Sequence, residues 1–280
     1  MIGRLLPTLI SVLAGAAVMT AACANPSSKS AGDASGAPVE VRVDSVPAAD
    51  AETRYSGLTD EDFRIVAEEL GVEIAAIKAV VQIEAGSQMK GFWAPGVPVI
   101  NFDRAMFNRF RAKATDKSGA KGESVPKGLT GYAHQEWTQL INARKQNAQG
   151  ANMGTFWGMF QIGGFNYKMC GCKTIDEFVR LCSYSELEQL ELFAAFIRNS
   201  GMLADLKAKN WAGFARKYNG ASYAKRGYHT KMANAYKKLR DAEKAKEAKT
   251  PKESEKHPED VRSAIAAYCL YRKPPCRARV

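Results

Sequence analysis

The sequence predicts a mainly α-helical domain over residues 57–240, and three observations predict it. Apolar residues recur at i, i+3, i+4 and i+7 in one segment after another. Ser or Thr followed three residues later by an acidic residue opens several of those segments, and glycine closes others. Strand-like alternation of apolar and polar residues is scarce. The chain has 280 residues, of which 46% are hydrophobic and 25% charged, a composition that supports one good-sized core with appendages.

The first 24 residues read as an export signal. Arg4 gives a minimal charged start, Leu5 to Met19 is almost wholly apolar, and Thr20-Ala21-Ala22-Cys23-Ala24 offers small residues for cleavage. The apolar run is too short for a membrane span. Two outcomes stay open: cleavage after Ala24, or lipidation of Cys23, where Thr20 stands in place of the Leu usual in a bacterial lipobox. Residues 25–56 are rich in Ser, Ala, Gly and Pro and read as a flexible tether. Together they predict an exported protein of the periplasm or cell envelope, with Cys23 as the candidate lipid anchor.

Thr59 and Asp62 make a capping box, Phe63, Val66, Ala67 and Leu70 a buried stripe, and Gly71 the stop of a first helix. Ile74 to Gly86 reads as a second helix closed by its glycine. Gly91 to Pro98 is punctuated by Gly and Pro and predicts a loop or a short hairpin. Asn101 to Arg111 predicts a strand-to-helix unit or a short helix, and Ala112 to Gly128 a mobile surface loop. Helical patterns follow over 132–147, 156–163, 174–182, 186–200, 211–218 and 228–246, with capping boxes at Thr174/Glu177 and Ser185/Glu188. Residues 241–280 begin as a Lys/Glu-rich helix extension and linker and end in a short tail.

The formal charge of +11 suits an anionic partner. Lys and Arg form no compact cluster with interleaved aromatics, which argues against nucleic acid. In an exported chain, Cys170, Cys172, Cys182, Cys269 and Cys276 are disulfide candidates. Cys269 with Cys276 would close a local loop, and Cys182 could meet Cys170 or Cys172 across a short helix. Paired CxxC knuckles and histidine ligand spacing are both missing from the sequence, so neither a metal nor another cofactor is expected. Monomer is the default oligomeric state.

One glutamate breaks the apolar pattern. Ile77, Val80, Val81 and Glu84 share one helix face. A carboxyl at the C-terminal end of an apolar helix loses hydration and lies near a partial negative charge, and both effects favour its protonated form. That is the state a general acid needs. The plainer alternative is a glutamate with its stem on the core and its head in water. Two later segments belong with it: Trp157-Gly158-Met159-Phe160-Gln161-Ile162-Gly163-Gly164-Phe165-Asn166 and Phe214-Ala215-Arg216-Lys217-Tyr218-Asn219-Gly220. Gln161, Tyr218 and Asn219 could line a sugar site, or simply bond to backbone, pack and cap a helix.

This ordered trio resembles the lysozyme-like superfamily of goose-type lysozymes and soluble lytic transglycosylases. Its members carry a Glu closing a helix, then a Gly-x-x-Gln-Ile element, then a Tyr-Asn element. The closer resemblance is to the N-acetylmuramidase domain of phage endolysins. It covers about Leu58 to Leu239 and is carried by Leu70 to Val80, Glu84, Gly91-Phe92, Pro98 to Asp103, Phe107-Asn108-Arg109, Trp157 to Asn166, Trp211 and Tyr218-Asn219-Gly220. The resemblance implies a lysozyme-like helical fold with a small hairpin or loop insertion beside the catalytic helix. It further implies hydrolysis of the β-1,4 bond between N-acetylmuramic acid and N-acetylglucosamine in peptidoglycan, with Glu84 as the acid. Asp103 is the candidate second carboxylate, with a helix-start or ion-pair role as its alternative; a base role predicts a carboxyl gap of roughly 6.5–9.5 Å. Gln161, Tyr218 and Asn219 would position the N-acetyl group or water, and Phe92 and Trp93 could stack on sugar faces, with core packing the alternative for Phe92. Two departures stand out. The family's usual Phe-Glu-Arg-His is Phe102-Asp103-Arg104-Ala105 here, and Thr155-Phe156 replaces a small hydroxyl pair. The same resemblance keeps two alternatives open: a lytic transglycosylase leaving anhydro-muramic ends, and a non-catalytic wall-binding protein.

Overall fold

A computed structural model of the chain describes residue 55, residues 57–86 and residues 89–247. The leader, most of the tether, Cys23, Cys269, Cys276 and the tail lie outside the described residues.

Helix α1 (Asp60–Leu70) begins at the expected capping box: the Asp62 N–H donates to Thr59 Oγ1, and the Thr59 N–H donates to an Asp62 carboxylate oxygen. Gly71 ends it in the left-handed region, at φ +63°. Helix α2 (Ile74–Glu84) is nearly all apolar, and Ala75, Ala76, Ile77, Ala79, Val80 and Val81 are buried. A helix apolar on every face must be surrounded. Its most extensive neighbour is α10 (Tyr228–Glu247). At its start, Glu73 accepts a 2.6 Å hydrogen bond from the Tyr236 hydroxyl of α10 and pairs with Lys209. These contacts lower the Glu73 pKa.

After α2 the chain forms a hairpin of β1 (Phe92–Ala94) and β2 (Val97–Pro98), as expected for one of the two readings of this stretch. Strand β3 (Ile100–Phe102) then leads into α3 (Arg104–Lys113), and Asp103 caps that helix through a 2.9 Å bond from the Met106 N–H. Helices α4 (Gly131–Gln146) and α5 (Ala148–Met153) follow. The segment between α3 and α4 has little regular structure, yet it is tied down. The Ala120 N–H donates to Arg144 O, the Ala148 N–H to Ser118 O, and the Thr115 N–H to Gln149 Oε1.

The helical pattern over 156–163 is corrected. Strands β4 (Thr155–Trp157) and β5 (Ile162–Gly163) form an antiparallel hairpin there, and β3 completes a three-stranded sheet in the order β3-β4-β5. Asn101 opposes Phe156, and Phe156 opposes Gly163. Gly158 and Gln161 sit at φ +69° and +49°. Two left-handed residues within four cannot continue a right-handed helix. The apolar spacing is that of a hairpin folding Trp157 and Ile162 onto the core.

The remaining helices are α6 (Ile175–Cys182), α7 (Glu186–Asn199), α8 (Leu203–Lys207) and α9 (Trp211–Asn219). The core runs through the whole domain. Trp157, Phe178, Phe193 and Phe214 are its largest fully buried side chains, each contributing roughly 1.5–3 kcal/mol relative to an exposed position. Cys170, Cys172 and Cys182 belong to this core. The three cysteines that the sequence offered as one local pairing, Cys182 with Cys170 or Cys172, are all buried there. Burial pushes the Cys182 thiol well up, and Cys170 and Cys172 nearby add to the shift. Among the described residues, no group of three His, Cys, Asp or Glu side chains is arranged to hold a metal.

Candidate active site

Glu84 is the last residue of α2, and the fully buried Ile77, Val80 and Val81 line the helix below it. Loss of hydration raises its carboxyl pKa from 4.5 to about 7, against the opposing effect of a hydrogen bond from Asn219. That bond, Asn219 Nδ2 to Glu84 Oε1, is 2.9 Å long and joins residues 135 apart in sequence. At neutral pH a large share of Glu84 is therefore protonated, held in one orientation by an amide.

Asn219 ends α9 and Tyr218 precedes it. The Tyr218 hydroxyl donates to Phe160 O at 2.7 Å, and its ring packs against Phe193, Phe196 and Phe214. Burial pushes the Tyr218 hydroxyl well up, and the Glu84 carboxylate adds to the shift. Two successive residues of α9 thus grip two different parts of the site: Asn219 holds the carboxyl, and Tyr218 holds the turn carrying Gln161. That turn is tight. The Gln161 N–H and its side-chain Nε2 both donate to Gly158 O, at 3.2 and 2.8 Å. Phe160 anchors the turn by stacking on Phe193 of α7, with centroids 4.1 Å apart. The three sequence segments meet in space: Glu84 from the first, Phe160–Gln161 from the second and Tyr218–Asn219 from the third.

The other candidates divide. Trp93 is half-buried on the β1–β2 hairpin, edge-on to Tyr132 at 6.2 Å, and Tyr132 is 56% exposed. The two rings form an accessible aromatic rim. Phe92 is only 9% exposed and has Tyr55 edge-on against it at 4.8 Å, so it takes the packing alternative rather than a sugar face. Asp103 is half-buried and uses one carboxylate oxygen as the N-cap of α3. Phe156 meets Phe165, which stacks on Phe110, and so it packs in an aromatic row.

Two residues escaped the sequence reading. Glu186 and Gln189, on α7, are 5% and 2% exposed. Glu186 Oε1 accepts from the Gly91 N–H at 3.1 Å. Gln189 donates to Gly91 O and Cys182 O and accepts from the Met159 N–H. The signal was present: Glu186, Gln189, Leu190 and Phe193 follow the i, i+3, i+4, i+7 rule, the same break in an apolar face that marked Glu84.

A model of the N-acetylmuramidase family matches residues 73–240. The crystal structure of the Burkholderia AP3 phage endolysin is similar, with 37% sequence identity and a TM-score of 0.57, over 66% of this chain and 72% of that one. No curated protein matches the chain. The family match spans more than half of the sequence, Glu84, Gln161, Tyr218 and Asn219 included, and its helical fold is that of an endolysin: the chain belongs to the N-acetylmuramidase family, glycoside hydrolases that act on peptidoglycan.

Proposed function

We propose that this protein cleaves the β-1,4 bond between N-acetylmuramic acid and N-acetylglucosamine by hydrolysis, with Glu84 as general acid. The observation that carries the reading is the Glu84 carboxyl, raised to about 7 by burial and oriented by Asn219. In this role Glu84 gives its proton to the glycosidic oxygen as the bond to the sugar C1 breaks through an oxocarbenium-like state. A water then adds to C1, and a carboxylate accepts its proton. Asp103 is the candidate for that second step in an inverting reaction. Trp93 and Tyr132 would receive a sugar face, and Gln161 would meet the N-acetyl group. The leader and Cys23 support delivery to the cell envelope, where peptidoglycan is met.

One observation favours a second reading. Asp103 already spends an oxygen on the cap of α3. In a lytic transglycosylase Glu84 would act alone, first giving its proton to the leaving oxygen and then taking one from the muramyl 6-hydroxyl as that oxygen closes on C1. The test is a digest of purified peptidoglycan by the mature protein and by its Glu84→Gln variant, with product ends read by mass spectrometry. Reducing muramic ends from the wild type alone support the hydrolase. Anhydro-muramic ends support the transglycosylase and keep Glu84. Binding without cleavage by either protein, across several wall chemotypes, rejects both in favour of a wall-binding role.

A further inference from the structure

Gln189 stands at the centre of a closed hydrogen-bond ring that the proposed chemistry does not use. Its Nε2 donates to Gly91 O at 3.2 Å, and its Oε1 accepts from the Met159 N–H at 2.7 Å. Gly91 O also accepts from the Val99 N–H at 2.9 Å, and Val99 O accepts from the Gly158 N–H at 2.7 Å. The ring therefore runs Gln189, Gly91, Val99, Gly158, Met159 and back to Gln189. Its backbone members are the root of the β1–β2 hairpin that carries Trp93 and the root of the turn that carries Gln161. A second bond from Nε2, 2.7 Å to Cys182 O, fixes the amide itself, and Glu186 Oε1 accepts from the N–H of the same Gly91.

Both backbones approach so closely that only glycine fits. A Cβ at Gly158 would lie 2.7 Å from Gln189 Cδ, and one at Gly91 would collide with Gln189 Oε1. Gln189 is 2% exposed. An amide buried this deeply is costly unless its donor and acceptor are both satisfied, and here backbone at Gly91, Met159 and Cys182 satisfies them, the first two 68 residues apart in sequence.

We infer that Gln189 is a positioning residue: its one amide sets the spacing between the aromatic rim at Trp93 and the Gln161 turn, and so the width of the glycan-binding cleft beside Glu84. The inference rests on reading that cleft as a glycan site.

The experiment is a fluorescence titration with a soluble tetrasaccharide of alternating N-acetylglucosamine and N-acetylmuramic acid. The parent is Glu84→Gln, so that no substrate is consumed, and Gln189→Met and Gln189→Glu are added to it. Gln189→Met keeps the volume and removes every bond. Gln189→Glu keeps the acceptor for the Met159 N–H but, as a carboxylate, opposes two carbonyls. The expected result is a Kd about tenfold weaker for Gln189→Met, the loss set by breaking buried hydrogen bonds. For Gln189→Glu, the loss relative to the parent at the same pH should be smaller at pH 5 than at pH 8, because the acid form can donate again. Thermal unfolding identifies the folded fraction. A purely structural role would lower the number of binding sites and leave Kd alone. An unchanged Kd in whichever variant folds overturns the inference even if the wild type cleaves peptidoglycan. A weakened Kd with no cleavage by the wild type sustains the inference and rejects Glu84 as an acid, and no binding by the parent rejects the glycan cleft and the inference together.

Discussion

Glu84 was legible from four residues of sequence because burial of a helix face is periodic, and a carboxyl in that period has nowhere to shed its desolvation cost. Asn219 was recognisable only as part of a motif, since no sequence rule predicts which donor, 135 residues away, will meet a carboxyl. Its effect has a sign that can be tested. The amide favours the charged form, so Asn219→Leu should move the basic limb of kcat/KM, expected near pH 7, upward while lowering the maximum rate. A downward shift would mean that water replaces the amide. The raised pKa also makes Glu84 a stability cost above its unfolded value of 4.5. The favourable state, neutral when folded, is fully present below pH 4.5 and is lost as pH rises towards 7. Glu84→Gln should therefore unfold at the same temperature as the wild type near pH 4 and at a higher one at pH 8. The gain is bounded by about 3–4 kcal/mol and reduced by the partial exposure of the residue. Equal stability at both pH values would place the carboxyl in water.

Elements were legible where caps and stripes coincide. Thr59 and Asp62 start α1, and Thr174 and Ser185 each accept the expected N3 amide at the starts of α6 and α7. The β4–β5 hairpin was not legible, because a short apolar run around glycines has the same composition in a helix and in a hairpin. What separates them is the left-handed conformation of Gly158 and Gln161, which only glycine advertises in advance. The pairing of α3 with α5 was equally hidden. It depends on Gly150 and Gly154, where a Cβ would lie 2.8 Å from the Arg111 backbone nitrogen and 2.6 Å from that of Phe107. Backbone meets backbone there, so a methyl group cannot be accommodated by turning a side chain aside. Gly154→Ala should lower stability by about 1–3 kcal/mol through overpacking and displace β3 with it, since the Asp103 N–H donates to Gly154 O. Chemical denaturation would measure the loss; a change under about 0.5 kcal/mol would show that the helices separate freely.

At the scale of the molecule, helical class and the convergence of three segments could be read in advance, because periodicity reports burial and motif order constrains which helix ends meet. The route by which a polar ring on α7 sets the cleft could not, because hydrogen bonds between distant backbones leave no spacing signal in the chain. Charge is legible at every stage, and it carries a prediction of its own. The formal charge is +11, and Arg104, Arg109 and Lys113 of α3 are exposed. The wall substrate carries carboxylates on its peptide stems, and attraction between exposed charges is screened over about 10 Å at 0.1 M salt and about 3 Å at 1 M. Affinity for whole peptidoglycan, measured by co-sedimentation of the Glu84→Gln variant, should therefore fall between 0.05 and about 0.5 M salt, while the Kd for a neutral chitin oligosaccharide stays nearly constant. The difference separates long-range capture by the basic surface from short-range recognition in the cleft. If both affinities fall together, salt weakens the protein's recognition generally and not the long-range capture alone, since a neutral ligand has no charge to screen. If neither falls, the basic surface has no part in wall binding, and recognition lies wholly with the aromatic rim and the polar groups around Glu84.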